Sequence, residues 1–422
     1  IRSSDWSSDV CSSDLADAAA TDGEAVTLKW AIWDQETTPY WNALKEAYEA
    51  ANPNVTIEMV DLGSTDYMTV LATELSGSGS DFDVVTIKDV PGYATLVQKN
   101  TLESLDDYIT DAGINLADFN GITDQVTVDG SLYELPFRSD YWLIYYNKDV
   151  FDAAGIAYPS NDMTMEDYDA LARQLTDTTY GSQVYGCHYH TWRSAVELFG
   201  ILDGKHSILD GNYDWMIPYY DMILSEEDDG VCQTYTDLST EGLHYSAAFS
   251  NGNVAMMNMG SWFISTLISN LDSGEYDSSL CGNWGIASYP HPDGAEAGST
   301  IATITGLAVT SASANKDAAF DFVNWVSGTE GAKVMASTGN FPAIMTDDVI
   351  NTIAGMAGFP TDEGSKEALN ITNAYLEVPY AENVSEINSI LDTYHTSIMN
   401  REVTVEEGVA SMNEHVGKIL NQ

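Results

Sequence analysis

Asp34, Gln35 and Glu36 follow directly on an alternating apolar run in "VTLKWAIWDQETTPYW". Two carboxylates and an amide at a strand end can accept hydroxyl or amine donors from a ligand and so form one wall of a site. The bland reading of the same residues is a solvated turn, with Asp as a local cap. With 65 acidic side chains in 422 residues, a pair of carboxylates of the kind a glycoside hydrolase uses as acid and base would turn up anyway, so none marks a hydrolase. The segment "CHYHTWRS" gathers Cys187, His188 and His190. Neighbours on an extended segment face opposite ways, so only His188 and His190 converge, and no CxxC or HxxxH completes a ligand set. We expect no metal and no cofactor.

These residues need strands and helices to position them. Val26, Leu28, Trp30 and Ile32 alternate with Thr27, Lys29 and Ala31, which predicts a strand. Thr38 is placed to cap a helix opened by Pro39, with Trp41, Leu44, Tyr48 and Ala51 on one face. "VTIEMV" reads as a second strand, and "DVVTI" as a third of the kind buried on both faces. Helical patterns follow each, so residues 25–100 read βαβαβα, a parallel sheet wrapped by helices. Further on, "WLIYY", "NVAMMNMG" and "ITGLAVT" read as strands. Thr164 is placed to cap a helix, and the tail reads as two helices, the second starting at Thr404.

Composition narrows the function. The net charge is −50, from 65 acidic and 15 basic side chains, and no Lys/Arg cluster appears, so nucleic acid and anionic membrane surfaces are poor partners. The charge suits solubility and repulsion between copies, and a monomer is expected. At 422 residues the chain is too long for one ordinary core, so two domains are expected. No window of 18 apolar residues reads as a membrane span. The first 15 residues carry Ser-Ser-Asp three times, resemble a translated adapter tract, and lack the layout of a signal peptide. Residues 1–24 are read together as a non-native or tether-like disordered N-terminus. Cys187, Cys232 and Cys281 are too few for a disulfide framework; a Cys187–Cys232 bridge and buried free thiols both stay open.

Three longer segments carry a family likeness: the strand–"WDQE"–helix unit with "FDVVTIKDVPGYATLVQKNTLESLDDYI", then "LYELPFRSDYWLIYYNKDVFDAAGI", then "FSNGNVAMMNMGSWFI" with "GLAVTSASANKDAAFDFVNWVSGTEGAKVMASTGNFPA". In this order, over residues 25–420, the chain resembles the extracellular solute-binding proteins of ABC importers, in the carbohydrate-binding group that includes maltose-binding protein. The resemblance implies an α/β, two-lobed periplasmic-binding-protein-like fold, each lobe a sheet flanked by helices, with a hinged ligand cleft. Lobe one would span 25–137 plus 305–341, and lobe two 138–304 plus 342–422. It implies capture of an oligosaccharide outside the cell, without catalysis, and delivery to the permease subunits of an ABC transporter. A lipid tether to the outer face of the membrane is expected from the family alone. A glycoside hydrolase, or a binding protein for a polyamine or peptide, remains the alternative.

The resemblance also nominates site residues. A sugar presents hydroxyls around its rim and C–H groups on its faces, so carboxylates, amides and flat aromatics are sought near strand ends. Asp34, Gln35 and Glu36 are the first group, and Lys88 and Asp89 the second, with an N-cap as the other role for Asp89. Arg138 and Asp140 lie in the first crossing between lobes; Arg138 is a hydroxyl donor or an ion-pair partner. Tyr189 matches a ring-stacking aromatic, with Trp192 beside it as cleft or core. Trp262 matches the family's cleft tryptophan, and Gly260-Ser261 leave space for its ring. Asn340 and Phe341 lie at the last crossing.

Overall fold

The computed structural model describes residues 25–36, 38–77, 80–176 and 184–421; the reading of residues 1–24 lies outside them. Nine strands among the described residues form one sheet: β1 (Val26–Ile32), β2 (Val55–Asp61), β3 (Val84–Ile87), β4 (Leu135–Asn147), β5 (Tyr185–His188), β6 (Val254–Gly260), β7 (Trp284–Ser288), β8 (Thr300–Val309) and β9 (Ala374–Leu376). The order is β2-β1-β3-β8-β4-β6-β5, with β7 added on β4 and β9 on β8.

The first three strands are the βαβαβ unit the periodicity predicts. β1 pairs in parallel with β2 and with β3, and all four residues of β3 are buried. Edge-to-face aromatics hold the layer of helices on this end of the sheet. Trp30 lies 5.2 Å from Trp41 and 5.1 Å from Phe322, and its indole N–H donates to Thr86 Oγ1 at 2.9 Å. Each such pair adds about 0.5–1.5 kcal/mol beyond the area it buries.

β4 is the long element. Its first half pairs antiparallel with β8, from Leu135 opposite Leu307 to Tyr141 opposite Ala302. Its second half lies between β6 and β7. One strand therefore runs from the end of the sheet built on β1–β3 into the end built on β5–β7. The segment Phe341–Ala343 runs alongside: Ser139 N–H donates to Phe341 O, and Ala343 N–H to Phe137 O.

Several helix starts follow the expected chemistry. Asn147 caps Lys148–Ala154, and Thr164 and Thr404 each form a reciprocal capping box with Asp167 and Glu407. Thr38 departs from expectation. It precedes Pro39–Ala51 but makes no side-chain cap bond, and Pro39, which has no N–H to satisfy, opens that helix. The segment "NKDAAFDFVNWVSGTEGAKVMAS" forms two helices, Lys316–Ser327 and Thr329–Ser337, parted at Gly328.

Candidate functional site

Two large cavities share one wall, the indole of Trp262. This residue opens the helix Trp262–Ser273 straight after β6, at the carboxyl end of a strand. A Cβ on Gly260 would lie 2.0 Å from the Trp262 ring, so glycine is what lets the indole lie against the backbone. The ring meets Trp142 edge-on at 5.6 Å, and its N–H donates to Tyr245 Oη at 3.1 Å. Trp192 stands 6.3 Å away and is 39% exposed, so an apolar ring face is offered next to a fixed one.

The larger cavity, about 1080 Å³, lies between the start of the helix Pro39–Ala51 and the helix Trp262–Ser273. Trp33, Tyr40, Arg138, Trp262, Trp284 and Asn340 are among its walls. Its cation is already engaged. Arg138 is ion-paired with Asp140 and lies over the Tyr40 ring at 5.9 Å. Asp140 also accepts from Ser261 Oγ at 3.1 Å, and Tyr141 N–H donates to that same hydroxyl oxygen at 3.2 Å. Burial pushes the Asp140 carboxyl up against the opposing pull of Arg138. Asp140, expected as a ligand-binding acid, is buried and lines neither cavity. For Arg138 the ion-pair alternative is what the structure contains. Asn340 lines the cavity with its amide N–H donating to Thr338 O and Oγ1.

The second cavity, about 400 Å³, is walled by Trp142, Trp192, Trp262, Arg193, Glu377 and Asp392, among others. Arg193 donates to Glu197 at 2.5 Å, to Asn388 Oδ1 at 2.5 Å and to Asp392, tying the segment after β5 to the helix Val384–Met399. Ser194 donates to Glu377. Burial, reinforced by the negative charge of Glu197, pushes the Glu377 carboxyl up to about 7. His395 is pushed down to about 3 by burial and by Arg193, so it is neutral at pH 7, and its Nδ1 pairs with Tyr220 Oη at 3.0 Å. Three carboxyl groups thus face one guanidinium, and the cavity carries an excess of acceptors.

The remaining expected residues lie elsewhere. Asp34 takes the left-handed conformation at φ 47°, and its N–H and that of Gln35 donate to the Asp61 carboxylate at 3.1 and 2.8 Å. Gly63 N–H adds a third bond, and these bonds outweigh burial and hold Asp61 below its ordinary carboxylate range. Gln35 donates to Asn42, and Glu36 is exposed. None of the three lines either cavity, although Trp33 before them does. Lys88 donates to Ser64 O at 2.8 Å and sits 5.3 Å from the Trp33 ring. Asp89 is an N-cap, accepting from Gly92 N–H at 2.7 Å.

Two aromatic candidates, Tyr189 and Phe341, pack inside the fold. Tyr189 is 5% exposed and packs on Tyr168 and Phe199, while Trp192 takes the cavity position. Phe341 is buried against Tyr141. The sequence reading missed Asp61, Trp142, Arg193, Glu377 and the polar face of the helix Val384–Met399. Asn388, Asp392 and Thr396 recur there at intervals of four, opposite Ile387, Leu391 and Ile398, and that spacing was a usable signal. Cys187, finally, does not join the histidines as a ligand group. It lies with Cys232 and Glu226, their ligand atoms within 4.8 Å of one another.

Residues 34–333 match the model of the bacterial extracellular solute-binding proteins. The chain belongs to this family. A sugar transporter from Rhizobium etli, solved in an open conformation, is 48% identical with a TM-score of 0.90; the match covers 93% of this chain and 99% of that one. A lactose-binding protein of Rhizobium radiobacter is 27% identical over 74% of this chain and 72% of its own length. A binding protein of Brucella abortus is 27% identical over 58% of this chain, and the match spans only 59% of that relative. The two-lobed fold of the family accounts for the sheet, with β4 running from one end of it into the other. No described helix is long and apolar enough to cross a membrane.

Proposed function

We propose that this chain is the sugar-capturing component of an ABC importer, binding an oligosaccharide around Trp262 and passing it to membrane permease subunits. The observation that carries the reading is the pairing of ring faces with hydroxyl partners. Trp192 and Trp262 present apolar faces, while Glu377, Asp392, Asn388 and Asn340 supply acceptors and amides beside them. That is the complement of a pyranose, apolar on its faces and donor-rich at its rim. The sugar-binding description of the Rhizobium relatives supports the same class.

Lobe one takes 25–137 plus 305–341, and lobe two 138–304 plus 342–422. β4, β8 and the Phe341–Ala343 segment then form the three crossings, and the cleft closes by bending there. The chain binds without catalysis, the reading its membership of a binding-protein family supports. The acid excess of the second cavity favours one other ligand class, an amine such as a polyamine. A thermal-shift screen of defined oligosaccharides alongside spermidine separates them. Stabilisation by a glycan, recovered chemically intact, supports the sugar reading; stabilisation by spermidine alone removes it.

A further inference from the structure

Cys187 lies on β5 and Cys232 just beyond the helix Ile217–Asp228, 45 positions later in the chain. The fold brings them together: Cys187 N–H donates to Val231 O at 3.4 Å, and the two sulfurs lie within 4.8 Å of each other. Both side chains are buried, at 0% and 3% exposure. All three described cysteines are free thiols in the structure; Cys281 is buried elsewhere, its thiol directed at Asp277 O, so among the described residues Cys232 is the one cysteine beside Cys187. Proteins of this extracellular family work where thiols are oxidised.

We propose that Cys187 and Cys232 are joined by a disulfide in the exported protein. A Cys thiolate attacks the disulfide of an oxidised dithiol exchange protein of the cell envelope and releases one partner thiolate. The second Cys thiolate then displaces the other partner sulfur from the mixed disulfide. One S–S bond forms and one breaks; the two cysteines lose two electrons and two protons, and the partner leaves as a dithiol. In the folded chain burial pushes the Cys187 thiol well above its ordinary value, which starves it of thiolate. The exchange therefore precedes closure of this region, during folding. The bond ties β5, whose continuation carries Trp192 and Arg193, to the connection after the helix Ile217–Asp228, and so steadies the wall of the second cavity. A structural metal is the competing use of the trio with Glu226. It falls one donor short of the four that a closed zinc site takes.

The test is peptide mapping of the full chain recovered after export into a bacterial periplasm, alkylated under denaturing conditions without reductant. The expected result is a linked peptide pair containing Cys187 and Cys232, two hydrogens lighter than the separate peptides, with Cys281 alkylated. Cys187→Ser and Cys232→Ser should each lower the melting temperature by the same several degrees, and the double variant by no more. Alkylation of both cysteines in the exported wild type would overturn the proposal. So would stoichiometric zinc bound to the pair as thiolates.

Discussion

The two sides of Trp262 use the same device to different ends. On one side Arg138 meets Asp140, two residues along the same strand, and the charges cancel locally. On the other Arg193 gathers Glu197 and Asp392 from helices far apart in sequence, and Glu377 is left over. The first arrangement braces the strand that crosses between the ends of the sheet. The second both braces the fold and leaves acceptor capacity facing the cavity. One arginine against one or three acids decides whether a polar cluster is structural or also available to a ligand.

Removing the guanidinium should expose that difference most strongly. Arg193→Ala strands the fully buried Glu197 carboxylate and should cost about 3–5 kcal/mol. Arg138→Ala, at a side chain one-fifth exposed, should cost about 2 kcal/mol once screening is allowed for. Denaturant midpoints at constant m-value read both. A smaller cost at Arg193 than at Arg138 would reverse the assignment of the two clusters.

The second cavity should also give stability a pH dependence. Glu377 is raised to about 7 in the folded chain, so between its unfolded value near 4.5 and 7 the native state holds the extra proton. Its contribution is full below the unfolded value and is lost as pH rises through about 7. The change is about 3 kcal/mol, and Glu377→Gln should flatten that part of the stability profile. An unchanged slope would mean the carboxyl is solvated.

Gly260→Ala leaves both ion clusters alone and acts on the wall they share. Its Cβ cannot coexist with the Trp262 ring as placed, so ligand affinity should fall about tenfold, roughly 1.4 kcal/mol, by titration calorimetry. Equal affinity would show that the ring is not a contact. The smallest effect belongs to Asp34. Its left-handed backbone makes Asp34→Ala costlier in unfolding free energy than Asp34→Gly, by about 1 kcal/mol in denaturant titration. If the carboxylate also reaches ligand, both variants should bind more weakly; if the turn is only a scaffold held by Asp61, neither will.

The contrast also explains what the sequence made legible. β1 announces itself through a period-two run, β3, β4, β6 and β8 through short apolar runs, and the well-capped helices through helical spacing and Thr/Asn caps, all local signals. Trp262 was nominated by the family resemblance, and the Gly260 two residues before it is where the structure leaves room for the ring. Tyr189 and Trp192 were both candidates; residues along an extended segment alternate in facing, and the packing of Tyr189 on Tyr168 and Phe199 is what turns Tyr189 to the core and leaves Trp192 at the cavity. The Arg193 cluster was not legible. Its partner Asp392 lies 199 residues away, and nothing near Arg193 in the chain indicates which helix will meet it. Arg138–Asp140 is the reverse case: the two lie two positions apart on one strand, and the ion-pair alternative could be read from the local sequence.

The most direct test of the account is calorimetric titration of defined oligosaccharides into the wild-type protein and into Trp262→Ala. The account predicts micromolar binding of at least one glycan, roughly −8 kcal/mol, weakened about 30-fold in the variant while its melting temperature stays near that of the wild type. Binding of no glycan by folded wild-type protein, or equal binding by the variant, would contradict it.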